Sequence, residues 1–196
     1  SGIDSTSPYP VATTVEQNLL QGKISSGENW YFHNGIGYYA KDMQLLAGKR
    51  RADWKPLSGG IKVPTPDEKE IFQLTIEHGT GQKNGSYCYA IIASGSMEDT
   101  ATAGEKFTVL ANDRRLQAVR FANGTVMAVF LERGELDTAP AGKFPAQLAA
   151  DKPGIFIVSG GKIYAADPSR KRRIFNLTWR GKALKIELPE SPHRGK

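Results

Sequence analysis

Clusters of basic side chains are the groups in this sequence best suited to bind a ligand. They lie at Lys49–Arg51, Arg114–Arg115 and Arg170–Arg173. A guanidinium group matches the geometry of carboxylate and sulfate, with which it forms paired hydrogen bonds. We therefore predict that an acidic polysaccharide is bound by the following residues: Arg50, Arg51, Arg170, Lys171, Arg172 and Arg173. The competing interpretation is that these charges are solvated at turns and bind no ligand.

The basic residues are concentrated in the second half of the chain. The 196 residues carry a net charge of +6. Residues 1–104 contain 9 basic and 11 acidic residues, a net charge of −2, whereas residues 105–196 contain 17 and 9, a net charge of +8. A basic surface suits an acidic polysaccharide, a nucleic acid or an anionic membrane. We predict no nucleic-acid partner, because the aromatic residues alternate as core residues do and are not interleaved with the basic clusters. We also predict no membrane partner, since no apolar run approaches the roughly 20 residues of a membrane span.

Residues that commonly act in catalysis or metal binding are few and scattered. A metal site needs several converging ligands, but His33, His78 and His193 have no metal-ligating neighbour in the sequence. We expect His33 to be exposed beside a turn and His78 to be a hydrogen-bonded structural residue. The one cysteine, Cys88, lies in an apolar segment and is expected to be a buried, unreactive thiol. The sequence therefore predicts no catalytic residue, no metal site and no cofactor.

Short strands and tight turns make up the rest of the sequence. The pair Asn34-Gly35 separates the aromatic runs Trp30–His33 and Ile36–Tyr39. Because Asn and Gly tolerate positive φ angles, this pattern predicts a β-hairpin. The segment Ile71–His78 alternates between apolar and polar residues, and we expect it to pair with Tyr87–Ala93 in a second hairpin. Further hairpin turns are predicted at three glycine-containing pairs: Asn123-Gly124, Gly160-Gly161 and Arg180-Gly181.

These patterns predict an all-β chain of antiparallel sandwiches, because no segment shows a sustained helical period. A segment of small and polar residues before Gly104 suits a linker, so we predict one domain over residues 1–104 and another over residues 105–196. Residues 42–57 are expected to be irregular, and residues 144–150 to form at most one helical turn.

Several sequence landmarks, taken in order, resemble the family 8 polysaccharide lyases. The landmarks of the first half are Ser1-Gly2-Ile3, Thr13-Thr14 with Gln17, Trp30 with His33–Tyr39, Trp54–Leu57, and Ile76–Gly79 with Ser86–Ile91. Those of the second half are Leu116–Val119 and Ala166–Ser169. No single landmark is decisive, but their common order is fairly specific.

This resemblance implies a fold, an activity and partners. The family combines an N-terminal α/α toroid, a central β super-sandwich and a small C-terminal β-sandwich. It cleaves hyaluronan, chondroitin sulfate or xanthan by β-elimination. The chain is similar to the later part of the super-sandwich followed by the C-terminal sandwich. The implied partners are an acidic polysaccharide and the toroid catalytic domain of the same enzyme, and the implied location is extracellular or periplasmic.

The catalytic motifs of the family are on its toroid and near the start of its central domain, and they have no counterpart in this sequence. We therefore assign no catalytic residue and expect this chain alone to be inactive. Two alternatives remain open at this point. The chain could be a non-catalytic carbohydrate-binding or scaffold module, or a basic nucleic-acid binder.

Overall fold

The computed structural model describes residues 1–52, 67–93, 95–138 and 147–190. The landmark Trp54–Leu57 and His193 lie outside the described residues. The chain divides into two compact units. We call Ile3–Ala103 the first unit, and Ser1–Gly2 with Gly104–Lys196 the second unit.

The first unit contains two antiparallel sheets. Its strands are β1 (Val11–Leu19), β2 (Ser25–Gly27), β3 (Trp30–His33), β4 (Ile36–Tyr39), β5 (Met43–Ala52), β6 (Asp67–Gly79) and β7 (Ala90–Ala93). One sheet has the order β1-β6-β5 and the other the order β2-β3-β4-β7. A short helix, α1 (Met97–Ala101), follows β7 and begins at a capping box between Ser96 and Asp99.

The alternation along β6 builds the core of the first unit. Phe72, Leu74 and Ile76 are buried on one face, where Tyr38 packs against them. The predicted hairpin of β3 and β4 is confirmed, because Asn34 and Gly35 have φ angles of 50° and 77°. Two positive φ angles in succession match the right-handed twist of the flanking strands.

Two expectations for the first unit are wrong. The sequence predicts an irregular segment at residues 42–57, but residues 43–52 form β5, which pairs along its whole length with β6. There Lys49 lies opposite Glu70 and Arg51 opposite Glu68, and such cross-strand charge pairs favour the strand. The second predicted hairpin is absent: β6 pairs on one side with β1 and on the other with β5, so β7 pairs with β4 instead.

The second unit is a sandwich of a five-stranded and a four-stranded antiparallel sheet. Its strands are β8 (Phe107–Asn112), β9 (Leu116–Phe121), β10 (Val126–Phe130), β11 (Gly134–Asp137), β12 (Gln147–Ala150), β13 (Gly154–Ser159), β14 (Lys162–Ala166), β15 (Ile174–Trp179) and β16 (Lys182–Glu187). The sheet orders are β14-β13-β10-β9-β8 and β11-β12-β15-β16. A 3-10 turn at Ala103–Glu105 precedes β8.

Three phenylalanines fill the centre of the second unit. The rings of Phe130 and Phe156 meet edge to face at 5.5 Å, and those of Phe156 and Phe175 at 5.1 Å. The helical turn expected at residues 144–150 is wrong over its described part, because Leu148 and Ala150 are buried on one face of β12. The prediction of an all-β chain of antiparallel sandwiches is confirmed. No helix of the described residues is long and apolar enough to cross a membrane.

Candidate functional site

The segment between β14 and β15 carries four of the predicted ligand-binding residues and is organised by one buried carboxylate. We call Asp167–Arg173 the basic turn. The side chain of Asp167 has no exposed surface. Its oxygens accept hydrogen bonds from the backbone N–H groups of Ser169, Lys171 and Arg172, at 3.1, 2.9 and 2.7 Å. They also accept from the Ser169 hydroxyl at 2.7 Å and from Nη1 of Arg172 at 2.7 Å.

These donors keep Asp167 ionised. Burial by itself raises the pKa of a carboxyl group, because it removes water from the charged form. The hydrogen bonds from Ser169 and Arg172 outweigh that effect and hold the pKa of Asp167 well below its usual range. The backbone of Arg170 then turns with a φ angle of 57°, and its N–H donates to the carbonyl of Asp167 at 3.0 Å.

The four basic side chains of the turn have different environments. Arg172 forms an ion pair with Asp167, and Arg173 forms one with Glu190. Arg170 and Lys171 are exposed and form no ion pair among the described residues. The turn therefore presents two uncompensated cations, while Arg172 helps to hold its shape.

The anchoring role of Asp167 is not among the predictions from the sequence, where Asp167-Pro168-Ser169 serves only as a family landmark. The sequence feature that indicates this anchoring role is the Asp-x-Ser spacing of Asp167 and Ser169. An aspartate side chain commonly accepts a hydrogen bond from the backbone two residues ahead and so closes a turn.

Arg50 and Arg51 belong to the other unit. Both are exposed on β5, where Arg50 lies opposite Lys69 and Arg51 opposite Glu68. Arg51 therefore has an acidic cross-strand neighbour, whereas Arg50 has a basic one. The six predicted residues thus fall into two sets on different units.

The histidines and the buried tyrosine of the first unit form hydrogen bonds within that unit. Nε2 of His33 accepts the backbone N–H of Gln21 at 3.0 Å, and its ring stacks on Phe72 at 4.3 Å. His33 is only 3% exposed, so the expectation that it is exposed is wrong. The Tyr38 hydroxyl donates to Glu16 at 2.9 Å, and burial followed by that carboxylate raises the pKa of Tyr38. A raised pKa makes its phenolate less accessible as a base.

Two further expectations concern His78 and Cys88. His78 lies 2.8 Å from the hydroxyl of Thr13, which agrees with the prediction of a hydrogen-bonded structural histidine. Cys88 is exposed and precedes β7, so the prediction of a buried thiol is wrong. Among the residues that the structure describes, no three metal-ligating side chains come together.

Comparison with known protein families gives two consecutive matches. Residues 1–104 match the super-sandwich domain of polysaccharide lyase family 8. Residues 108–174 match the C-terminal β-sandwich domain of the same family.

Two curated relatives are named as chondroitin-degrading enzymes. Chondroitinase-AC of Pedobacter heparinus is 28% identical over 229 residues, which cover 100% of this chain and 32% of that protein. Chondroitin sulfate ABC exolyase of Bacteroides thetaiotaomicron is 26% identical over 155 residues, which cover 72% of this chain and 15% of that protein. The chain therefore spans at most about a third of the length of these relatives.

Solved structures show the same fold. A chondroitinase AC lyase studied as oligosaccharide complexes superposes with a TM-score of 0.82 at 26% identity, over 99% of this chain and 33% of that one. A Streptomyces coelicolor A3 chondroitin AC lyase gives a TM-score of 0.75 at 22% identity, over 91% and 25%. A Paenibacillus xanthan lyase gives 0.70 at 19% identity, over 90% and 20%. The last two similarities concern the fold alone.

Proposed function

The chain belongs to polysaccharide lyase family 8, and we propose that it forms the β-sandwich portion of an enzyme that cleaves acidic glycans such as chondroitin or hyaluronan. The observation that carries this proposal is the uninterrupted order of two family domains, the super-sandwich at residues 1–104 and the C-terminal sandwich at residues 108–174. The names of the relatives favour a chondroitin-type substrate.

The reaction proposed for the whole enzyme is a β-elimination. A base removes the proton from C5 of a uronic acid, the bond between C4 and the glycosidic oxygen breaks, and an acid protonates that oxygen. The products are a new reducing end and a sugar with a double bond between C4 and C5. Such chemistry needs an acid and a base held at the substrate.

We propose that a helical toroid domain of the same enzyme supplies the acid and the base. In the first unit, two groups of suitable type are already engaged: Tyr38 donates to Glu16, and His33 accepts from the backbone of Gln21. These contacts support a structural role, in which the sandwiches hold the toroid and form one side of the substrate cleft.

We further propose that the basic surfaces attract and hold the polyanionic substrate. The residues are those predicted from the sequence: Arg50, Arg51, Arg170, Lys171, Arg172 and Arg173. Within the basic turn, Arg170, Lys171 and Arg173 make the direct contacts, because the pair of Arg173 with Glu190 is exposed and easily displaced. Arg172 is held by the buried Asp167. Because a polymeric glycan is met outside the cytoplasm, we also propose an extracellular or periplasmic location.

The experiment compares this 196-residue chain with the complete product of its gene. Each is incubated with chondroitin sulfate, and the ultraviolet absorbance of unsaturated uronate is followed. We expect turnover by the complete product and none by the chain alone. Turnover by the chain alone would place the acid and base within these residues and contradict the proposed division of roles.

Binding without turnover by the complete product would favour the alternative, a non-catalytic carbohydrate-binding or scaffold module. Binding is measured by retention on immobilised chondroitin sulfate at a fixed salt concentration. Duplex DNA at the same salt concentration serves as the competitor, because a nucleic-acid binder and a glycan binder both release counterions. We expect DNA to compete poorly.

A further inference from the structure

The outer face of the four-stranded sheet in the second unit contains a groove. Four residues lie side by side across its strands, in the order Glu135, Ala149, Thr178 and Ala183. The side chains of Ala149, Thr178 and Ala183 are short, so three of the four positions in this row are low. The resulting groove has a volume of about 720 Å³, which lies within the range of roughly 300–1,000 Å³ typical of sites for small ligands.

Longer polar side chains border the groove on one side. Asn176 and Lys185 are neighbours across β15 and β16, and Arg133 lies just before β11. Strands β11 and β16 are three inter-strand distances of about 4.8 Å apart, so Arg133 and Lys185 are separated by about 14 Å. The groove therefore has a cation near each end of its border. The lining also contains two carboxylates: Asp151, which contacts Lys152 and Asn176, and Glu135, which accepts a hydrogen bond from Gln147.

Arg133 and Lys185 are available to an anionic ligand. Arg133 is exposed, and no carboxylate of the described residues forms an ion pair with it. Lys185 contacts Glu187 at 2.7 Å, but the two side chains are 57% and 70% exposed. An ion pair as exposed as this one contributes little stability, so a ligand can displace it.

The amide of Asn176 is fixed by Asp151. Its Nδ2 donates to Oδ2 of Asp151 at 2.8 Å, while its backbone N–H donates to Oδ1 at 3.1 Å. This arrangement leaves the Asn176 side-chain carbonyl oxygen free to accept a hydrogen bond. Together with the hydroxyl of Thr178, it offers polar contacts of the kind that sugar hydroxyl groups make.

We propose that this groove is a binding site for a short segment of acidic glycan, with sugar units over Ala149 and Ala183 and anionic groups near Arg133 and Lys185. This inference rests on the proposed function, since it takes the glycan class from there. The basic turn lies close by in the chain, because Arg172 precedes Asn176 by four residues, at most about 13 Å of extended strand. A longer glycan can therefore contact both surfaces of the second unit.

Two variants test the groove in different ways. Ala183→Leu fills the floor without changing charge, and the double variant Arg133→Gln/Lys185→Gln removes the two cations. The control Lys23→Gln/Lys162→Gln removes two exposed cations, one between β1 and β2 and one on β14, outside the basic clusters and the groove. All are made in this 196-residue chain, and far-ultraviolet circular dichroism checks their folding.

Affinity for a chondroitin sulfate tetrasaccharide is measured by titration calorimetry at one salt concentration. We expect each groove variant to weaken binding about 10-fold, as the loss of contacts at one specific site would do, and the control to weaken it less than about 2-fold. Equal weakening by the control and the charge variant would overturn the proposal in favour of general electrostatic attraction. Unchanged binding by Ala183→Leu would overturn it by showing that the floor is unoccupied.

The same preparations separate this proposal from the proposed function. If the complete gene product releases unsaturated uronate but the groove variants bind the tetrasaccharide normally, only the groove proposal fails. If the complete product shows neither turnover nor binding, the proposed function fails as well.

Discussion

Replacement of Asp167 by asparagine is the most direct test of how the basic turn keeps its shape. The wild-type carboxylate is buried and receives five donor groups from Ser169, Lys171 and Arg172. Asparagine has nearly the same size, but it is uncharged and has a single acceptor oxygen. Whichever way the amide is oriented, its NH₂ group faces N–H donors that the carboxylate had satisfied.

We expect Asp167→Asn to lower the free energy of unfolding of the second unit by about 3 kcal/mol. Hydrogen bonds to a charged acceptor contribute about 1.5–3 kcal/mol each, and breaking a buried ion pair from one side costs about 3–5 kcal/mol. The lower end of that range applies, because the Arg172 side chain is 28% exposed and can turn to water when its partner is lost.

The assay is urea-dependent hydrogen exchange followed by mass spectrometry, which resolves the two units. Peptides from β13 to β15 report the second unit, and peptides from β1 and β6 are the internal reference. The matched control is Asp151→Asn, which also removes a carboxylate that accepts two hydrogen bonds from Asn176, but at an exposed position. We expect the control to cost about 1 kcal/mol or less. A loss below about 1 kcal/mol for Asp167→Asn would refute the anchoring role of the buried carboxylate.

The pH dependence of stability provides a second test of the role of Asp167. The pKa of Asp167 is lower in the folded chain than the value of about 4 expected when unfolded. Its contribution is therefore fully present above about pH 4–5 and is lost as the pH falls toward the folded-state pKa. The stability difference between wild type and Asp167→Asn should be constant at neutral pH and shrink below about pH 4. A difference that grows on acidification would contradict this linkage.

Two substitutions test the first unit by thermal unfolding. Gly37→Ala should lower the free energy of unfolding by about 1–3 kcal/mol, because the new Cβ would collide with the fully buried side chain of Thr100. The control Gly134→Ala lies in the second unit, where the new Cβ meets only ordinary contacts at 3.7 Å, and it should cost less than about 1 kcal/mol. Equal losses would argue against this packing. Tyr38→Phe should cost about 1 kcal/mol by leaving Glu16 without its hydroxyl donor, and the explanation fails if the variant is as stable as wild type.

Local patterns in the sequence are sufficient to predict much of the fold. The Asn34-Gly35 pair specifies a hairpin because few residue pairs accept two successive positive φ angles. The alternation in Ile71–His78 predicts a half-buried strand because side chains alternate between the faces of a sheet. The same patterns do not show which strands pair. They predict β7 beside β6, but β1 and β5 occupy both edges of β6, and β7 pairs with β4 instead.

The candidate sites divide in the same way. The basic residues of Arg170–Arg173, the excess of basic residues in the second half of the chain and the family landmarks can all be read from the sequence, because residue type and order are local properties. The binding of Arg172 to a buried Asp167, and the lack of an ion pair at Arg170 among the described residues, are visible in the folded chain alone. The folded structure also places Ala149, Thr178 and Ala183 side by side in one groove floor. These relations depend on strand register, which is set by contacts between residues far apart in the chain.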